Sequence, residues 1–362
     1  MDVNSLVAGW LRDLAFVQAS PSRRWGYKRA ASAVMQLEVP INTLFEADGT
    51  LRKIPHIGPA SSRVILDVLR TGESATVTAA VEVSPLKPDV IRRRGLRAHF
   101  LSRAAALAAM RGSQPYAPSL SDYRADLQMH STWSDGVQTL SDIVATGMSR
   151  GYTHSAVTDH SYGLPIAGGV SMARIAEQHR EIDELNHAHA GRFRLLKGIE
   201  ANIRADGSVD MTPAELAQFE IVVAAPHSVL RSEHDQTARM LTAVQTPGVH
   251  ILGHPRGRMY GSRPGVSADW ERVFTAAARC GVAIELDGDP ARQDLDYDLA
   301  RRAVTSGCLF AIDSDAHAGD QWWYAETALA HARLAGIPRS RVINCWPLAK
   351  LLDWAQSRAK VA

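Results

Sequence analysis

The sequence predicts an α/β protein: a seven-stranded, closed or nearly closed parallel barrel, preceded by a small all-α domain. Three observations carry this. From Ala125 onward, short apolar runs alternate with helical patterns through seven strand-helix units, and repeated units of that kind imply a parallel sheet. Most of those runs end on a His, Asp or Glu, and the C-terminal strand ends of a parallel barrel share one face. Residues 1–80, by contrast, show only helical periodicity.

The 362 residues, 46% of them hydrophobic, suffice for one large and one small core. The start, Met1-Asp2-Val3-Asn4-Ser5, lacks the basic region of a signal peptide, and no apolar run reaches the length of a membrane span. Three dispersed cysteines, Cys280, Cys308 and Cys345, fit core packing in a reducing cytoplasm. A cytoplasmic protein with no membrane partner is expected. Net charge is +2 but uneven: residues 1–120 hold 16 Lys and Arg against 9 Asp and Glu, and the rest hold 24 against 29. A basic front and an acidic back suit a polyanion-binding module joined to a carboxylate-rich site, although scattered surface charge gives the same totals.

Within the first domain, expected over 1–80, Leu6, Val7, Trp10, Leu11 and Leu14 recur at helical spacing, as do Tyr27, Ala30, Ala31, Val34 and Leu37. A turn at Pro55 to Gly58 leads into a helix whose buried face is Ala60, Val64, Ile65 and Leu69. Free N–H groups at that helix start make a phosphate seat. Gly58 permits close backbone approach, and Arg52, Lys53 and Arg63 supply counter-charge. This stretch, ending Leu69-Arg70-Thr71-Gly72, resembles the helix-hairpin-helix that opens family X DNA polymerases, with His56 in place of the first Gly of the pattern. Ser22 to Ala31 is similar to the arginine-tyrosine-arginine helix of that family. The resemblance implies DNA contact through Arg52, Lys53, His56, Gly58 and Arg63, at ends, gaps or nicks. The position of that family's Schiff-base lysine falls on Val64, so no lyase activity is expected.

Residues 81–122 read as a connector. Thr71 to Val83 carries strand-like residues without an evident partner. Asp89 to Met110 is expected as one helix with an arginine-rich face, and Gly112 to Ser121 is a linker by composition. No room remains for a polymerase palm.

The second domain is expected over 123–358, with strands at 125–130, 154–160, 194–203, 219–227, 249–254, 281–287 and 309–315. Helices are expected at Leu140 to Gly147, Met172 to Ala190, Gln236 to Ala243, Trp270 to Cys280 and Leu299 to Ser306. The strand ends are His130, Asp159-His160, Glu200, His227, His254, and Asp313, Asp315 and His317. Asp135 joins His130 through a Ser-Asp-Gly turn. So many imidazoles and carboxylates on one rim exceed the capacity of one ion. They suit two or three divalent ions such as zinc, manganese or iron, and the lack of a nearby thiolate argues against a structural zinc knot. Such a site clamps a phosphoryl group and activates water, which makes phosphoester hydrolysis the fitting reaction.

The stretches Asp126 to Gly136, Val157 to His160, Lys197 to Glu200, Gly253-His254-Pro255 and Asp313 to His317 look like the motifs of the PHP (polymerase and histidinol phosphatase) family. They are most similar to the PHP domain of bacterial family X polymerases. The resemblance implies a distorted TIM-like (β/α)7 barrel, with His130, Asp135, His160, Glu200 as bridge, His227, His254, Asp315 and His317 as ligands. Two positions depart from the pattern: Gln128, where many PHP enzymes have His, and Asp287-Gly288-Asp289-Pro290, where Asn-Ala-Asn-Pro is usual. Arg256 and Arg258 follow a ligand and are the candidates to hold substrate phosphate. Trp322, Trp323 and Tyr324 are candidates for base stacking or core packing, and Lys197 is expected to be structural. The expected function is metal-dependent hydrolysis at DNA ends by activated water, as a 3′–5′ exonuclease or 3′-phosphatase in DNA repair. The alternatives are a small-molecule phosphatase, such as a histidinol-phosphate phosphatase, and a DNA-binding scaffold with an inactive site.

Overall fold

The computed structural model describes residues 2–112 and 114–359, which divide into two units: 1–111 with 260–262, and the remainder. The first unit is all helical, with α1 (Val3–Val17), α2 (Pro21–Gln36), α3 (Pro59–Thr71), α4 (Ala75–Glu82), α5 (Lys87–Gly95) and α6 (Arg103–Met110). Its core joins Val7 and Leu11 of α1, Ala30, Ala31 and Val34 of α2, and Val64, Ile65 and Val68 of α3. Val64, in the place of the lyase lysine, is part of that core. Pro59 opens α3 and Gly72 closes it in the left-handed region, the residue preferences that helix ends impose.

Two expectations fail in this unit. The strand-like residues of Thr71 to Val83 lie in helix α4, after a break at Gly72 to Ser74, because Val77 and Val81, one turn apart, bury against the core and override their strand propensity. The helix expected over Asp89 to Met110 is two. Ser102 accepts a hydrogen bond from Ala105 N (3.2 Å) as the cap of α6, and His99, in the loop before it, has φ 63°.

In the turn before α3, His56 has φ 66°, a left-handed conformation that a Gly adopts freely and a side chain adopts at a cost. The His56→Gly variant is therefore expected to gain about 0.5–1 kcal/mol of stability, read as a rise in urea midpoint at unchanged slope. A lower midpoint would show that the imidazole stabilises the turn.

The second unit holds six parallel strands in sequential order: β1 (His154–Val157), β2 (Arg194–Ile203), β3 (Ile221–Pro226), β4 (Ile251–Leu252), β5 (Ala283–Asp287) and β6 (Leu309–Asp313). Between and after them run α7 (Leu140–Ser149), α8 (Met172–Ala188), α9 (Pro213–Leu216), α10 (Thr237–Gln245), α11 (Trp270–Cys280), α12 (Tyr297–Thr305), α13 (Tyr324–Ala335) and α14 (Leu348–Ala359). The five helices expected from the sequence lie within two residues of those observed.

The strand expected at 125–130 is not one, so the barrel of seven is a curled sheet of six. The segment does reach both edge strands. Ala156 N and Thr158 N donate to Asp126 O and Met129 O, and His130 N donates to Ala316 O. Side chains occupy the remaining positions of the ladder. Leu127 N donates to Asp313 Oδ1 (2.7 Å), Met129 N to Thr158 Oγ1 (3.1 Å), and Ser314 N to Asp126 Oδ1 (3.2 Å). The backbone is satisfied, as a buried backbone must be, but not by a strand ladder. No helix among the described residues is long and apolar enough to cross a membrane.

Candidate metal centre

The strand ends deliver their side chains to one place. Glu200 on β2 sits at the middle, fully buried. Its Oε1 lies 3.2 Å from His227 Nε2 and 3.0 Å from His254 Nε2. Its Oε2 lies 3.3 Å from His130 Nε2 and 3.1 Å from His160 Nδ1. Asp135 Oδ1 lies 3.6 Å from His160 Nε2 and 3.5 Å from His317 Nε2, and Asp315 Oδ1 lies 3.1 Å from His130 Nε2. Three groups form with donor atoms within 4.8 Å of one another: His130, Asp135, His160 and His317; His160, Glu200 and His227; and His130, Glu200 and Asp315. All eight sequence-derived candidates are thus together, with His254 joined through Glu200. The arrangement has places for two or three divalent ions.

Local structure fixes each donor. Gly136 lies where a Cβ would collide with the His130 carbonyl, so only glycine lets the Ser-Asp-Gly turn fold back and bring Asp135 to the rim. His317 Nδ1–H donates to Asp315 O (2.8 Å) and His227 Nδ1–H to Asn202 Oδ1 (3.2 Å), which leaves both Nε2 atoms as bases facing the carboxylates. Asp315 itself has φ 52°, strain held at the centre of the site. Asp159, although a strand-end carboxylate, is not in the cluster. It accepts from Ser131 N and Oγ (2.8 and 2.6 Å) and from Gln178 Nε2 (2.6 Å), and so holds the turn that carries Asp135. Asp313 accepts from Leu127 N and from Asn344 Nδ2 (2.8 Å) and is likewise structural.

The electrostatics suit cations. Burial pushes Glu200 and Asp315 toward the neutral acid, yet the histidines around Glu200 and the Arg292 guanidinium beside Asp315 win, and both carboxyls are held well below their ordinary range. Burial lowers His254 to about 4 and keeps it neutral, as a ligand must be. His130 is raised despite its burial, by its hydrogen bond to Asp315 and the nearby Glu200 carboxylate. His130 Nδ1, His160 Nδ1, His227 Nε2 and Glu200 Oε2 are buried without a hydrogen-bond partner, as are both amide atoms of Gln128. Buried polar atoms are rarely left so. A nitrogen and oxygen donor set without thiolate, orphaned and converging, fits hard or borderline divalent ions.

Arg256 and Arg258 do not join the cluster. Both pair with Asp296 Oδ2 (3.3 and 2.9 Å), and Arg258 Nη2 donates to Gln293 O (2.7 Å), so a carboxylate 38 or more residues along the chain takes the charge expected for phosphate. The cation at the cluster is Arg292, whose Nη1 lies 2.8 Å from Asp315 Oδ2 and 3.7 Å from Asp287 Oδ2. Sequence reasoning missed it. The signal was the pair of carboxylates Asp287 and Asp289 just before it, which require a counter-ion once buried. Trp322 is fully buried and donates from Nε1 to Gln138 Oε1 (2.8 Å), a core residue. Lys197 pairs with Asp183 (2.8 Å).

In the first unit, Arg52, Lys53, His56, Gly58 and Arg63 are all exposed around the start of α3, and Arg52 Nε pairs with Glu46 at 3.0 Å.

The helix-hairpin-helix domain family matches residues 2–74. The chain is 33% identical over 293 residues to the DNA polymerase/3′-5′ exonuclease PolX of Bacillus subtilis (strain 168), a match covering 79% of this chain and 50% of that protein. It thus spans about half the length of that relative. It is 28% identical over 259 residues to a probable phosphatase of Citrobacter koseri, covering 65% of this chain and 95% of that protein. A crystal structure of histidinol phosphate phosphatase from Lactococcus lactis, complexed with zinc, L-histidinol and phosphate, aligns with a TM-score of 0.46 at 19% identity, over 59% of this chain and 93% of that one. Cluster and relatives together show a PHP-like metal-dependent phosphoesterase domain with an N-terminal helix-hairpin-helix domain, related to PolX and to the probable phosphatases.

Proposed function

We propose that the enzyme is a phosphomonoesterase whose substrate is a small phosphorylated molecule, with histidinol phosphate as the test case. The observation that carries this is the extent of the phosphatase match: 65% of this chain corresponds to 95% of the Citrobacter protein, nearly the whole of a probable phosphatase. Ions in the three groups would polarise the phosphoryl oxygens and acidify a water. The chain's own part is to hold those ions. His227 and His317 present fixed Nε2 atoms, Glu200 spans two groups, and Arg292 orients Asp315. The cluster meets solvent at Asp135 and His317, whose side chains are 36% and 28% exposed while His130 and Glu200 are sealed, so the phosphoryl group enters from that side.

A second reading, hydrolysis at DNA ends as a 3′–5′ exonuclease or 3′-phosphatase, is favoured by the helix-hairpin-helix match and by the similarity to PolX over 79% of this chain. An inactive scaffold does not suit a complete donor set.

One assay separates the readings. Protein stripped by chelator and reloaded with Mn²⁺ or Zn²⁺ is offered histidinol phosphate, and separately end-labelled DNA with 3′-phosphate or 3′-hydroxyl termini. Phosphate release from histidinol phosphate, lost on chelation and in His227→Ala, is the expected result. Turnover of DNA ends without turnover of histidinol phosphate would replace the first reading with the second.

A further inference from the structure

His254, joined to the cluster through Glu200, stands at the start of a turn that two buried acids hold by its backbone. It follows β4 through Gly253 and has φ 22°, on the positive side that L side chains rarely adopt. Strain of that kind persists only where the surroundings impose it. His254 N donates to Glu285 Oε2, and Arg256 N and Gly257 N both donate to Asp294 Oδ2 (2.9 and 2.6 Å). Gly257 N also bonds to His254 O (2.8 Å) and closes the turn. The chain order brings both acids there. Ala283 on β5 packs in the core beneath the rim, and Glu285, two residues on, faces the same way. Beyond β5 the chain returns alongside it. Asp287 N donates to Asp294 O and Asp294 N to Asp287 O (2.6 and 3.1 Å), which sets Asp294 beside the turn.

Folding alone does not account for this choice of acceptor. Both carboxyl groups are fully buried, and Glu285 Oε1 and Asp294 Oδ1 have no hydrogen-bond partner. A backbone carbonyl would satisfy the same N–H groups without burying a carboxyl group. What a carboxylate adds is a stronger, charge-assisted bond. It is applied to the turn that brings His254 Nε2 to 3.0 Å from Glu200 Oε1.

We infer that Glu285 and Asp294 are positioning residues: through these N–H groups they hold the His254 imidazole against Glu200, and so set the affinity of the centre for an ion. Both act through His254 and not on substrate. The inference rests on the cluster holding divalent ions, and it stands whichever phosphoester is hydrolysed.

The test is Zn²⁺ affinity, read on full-length protein by competition with a chromogenic chelator, beside a thermal melt of each variant in EDTA. Glu285→Met fills a similar space without an acceptor and is expected to weaken the binding of one Zn²⁺ about 10–100-fold. Glu285→Gln keeps an oxygen for His254 N and is expected to restore the affinity to within about threefold of wild type. In a His254→Ala background, Glu285→Met is expected to change the affinity by less than about threefold, because no imidazole remains to be positioned. A general loss of packing would weaken binding in both backgrounds. Asp294→Ala runs through the same cycle, with a loss of about tenfold, and keeps the test decisive if Glu285→Met does not fold. Folded variants that bind Zn²⁺ within about threefold of wild type would overturn the inference, as would an equal loss with and without the His254 imidazole.

Discussion

Glu200→Gln is expected to lower kcat by on the order of a thousandfold and to remove all but about one bound ion per chain. The substitution keeps the size and shape of a fully buried side chain and deletes only its charge. That charge lies within 3.3 Å of four imidazole nitrogens, on His130, His160, His227 and His254, and it belongs to two of the three donor groups. A neutral amide presents one carbonyl oxygen and one NH₂ to those positions, and the NH₂ repels a cation. The third group, His130, Asp135, His160 and His317, does not use Glu200, which is why one ion is expected to stay. Metal content by mass spectrometry and turnover of a small phosphomonoester are measured on the same sample, with a melt in chelator to check the fold. Full metal content together with a kcat within tenfold of wild type would show that Glu200 is not the hub of the centre.

The rim was legible in the sequence because a parallel sheet converts distant strand ends into neighbours. His130, His160, Glu200, His227, His254 and Asp315 each follow or interrupt an apolar run, and that pattern needs no knowledge of contacts. What was not legible depends on contacts between residues far apart in the chain. Segment 125–130 has the composition of a strand, but Asp313 and Thr158 side chains take backbone positions that a neighbouring strand would have taken. No local pattern announces that. Val77 and Val81 read as strand residues until α4 is placed against its core. The arginines show the same limit. Arg256 and Arg258 stand next to a ligand in sequence, whereas the cation at the cluster comes from Arg292, 38 residues beyond His254.

Arg292 gives the second large effect, and it separates two roles that the sequence ran together. The guanidinium neutralises Asp315 at 2.8 Å and faces Asp287 at 3.7 Å and Asp289 at 3.8 Å. Burial, and for Asp287 the proximity of Asp315, raise the pKa of both Asp287 and Asp289, and Arg292 counters this. In Arg292→Met the three carboxylates lose their counter-ion. With ions absent, the fold is expected to lose about 3–5 kcal/mol, the cost of breaking a buried pair from one side. With ions bound, their charge replaces part of what was lost, so the deficit shrinks on loading with Mn²⁺. Turnover falls about a hundredfold because Asp315 is no longer oriented. Arg258→Met loses the pair with Asp296 and the bond to Gln293 O, and is expected to destabilise the protein equally with and without ions while kcat stays within about threefold of wild type. Urea unfolding in chelator and in Mn²⁺, with kcat on a small phosphomonoester, reads both variants. If Arg258→Met rather than Arg292→Met carried the loss of turnover, substrate phosphate would be held where the sequence first suggested, and Asp296 would have to release Arg258 when substrate binds.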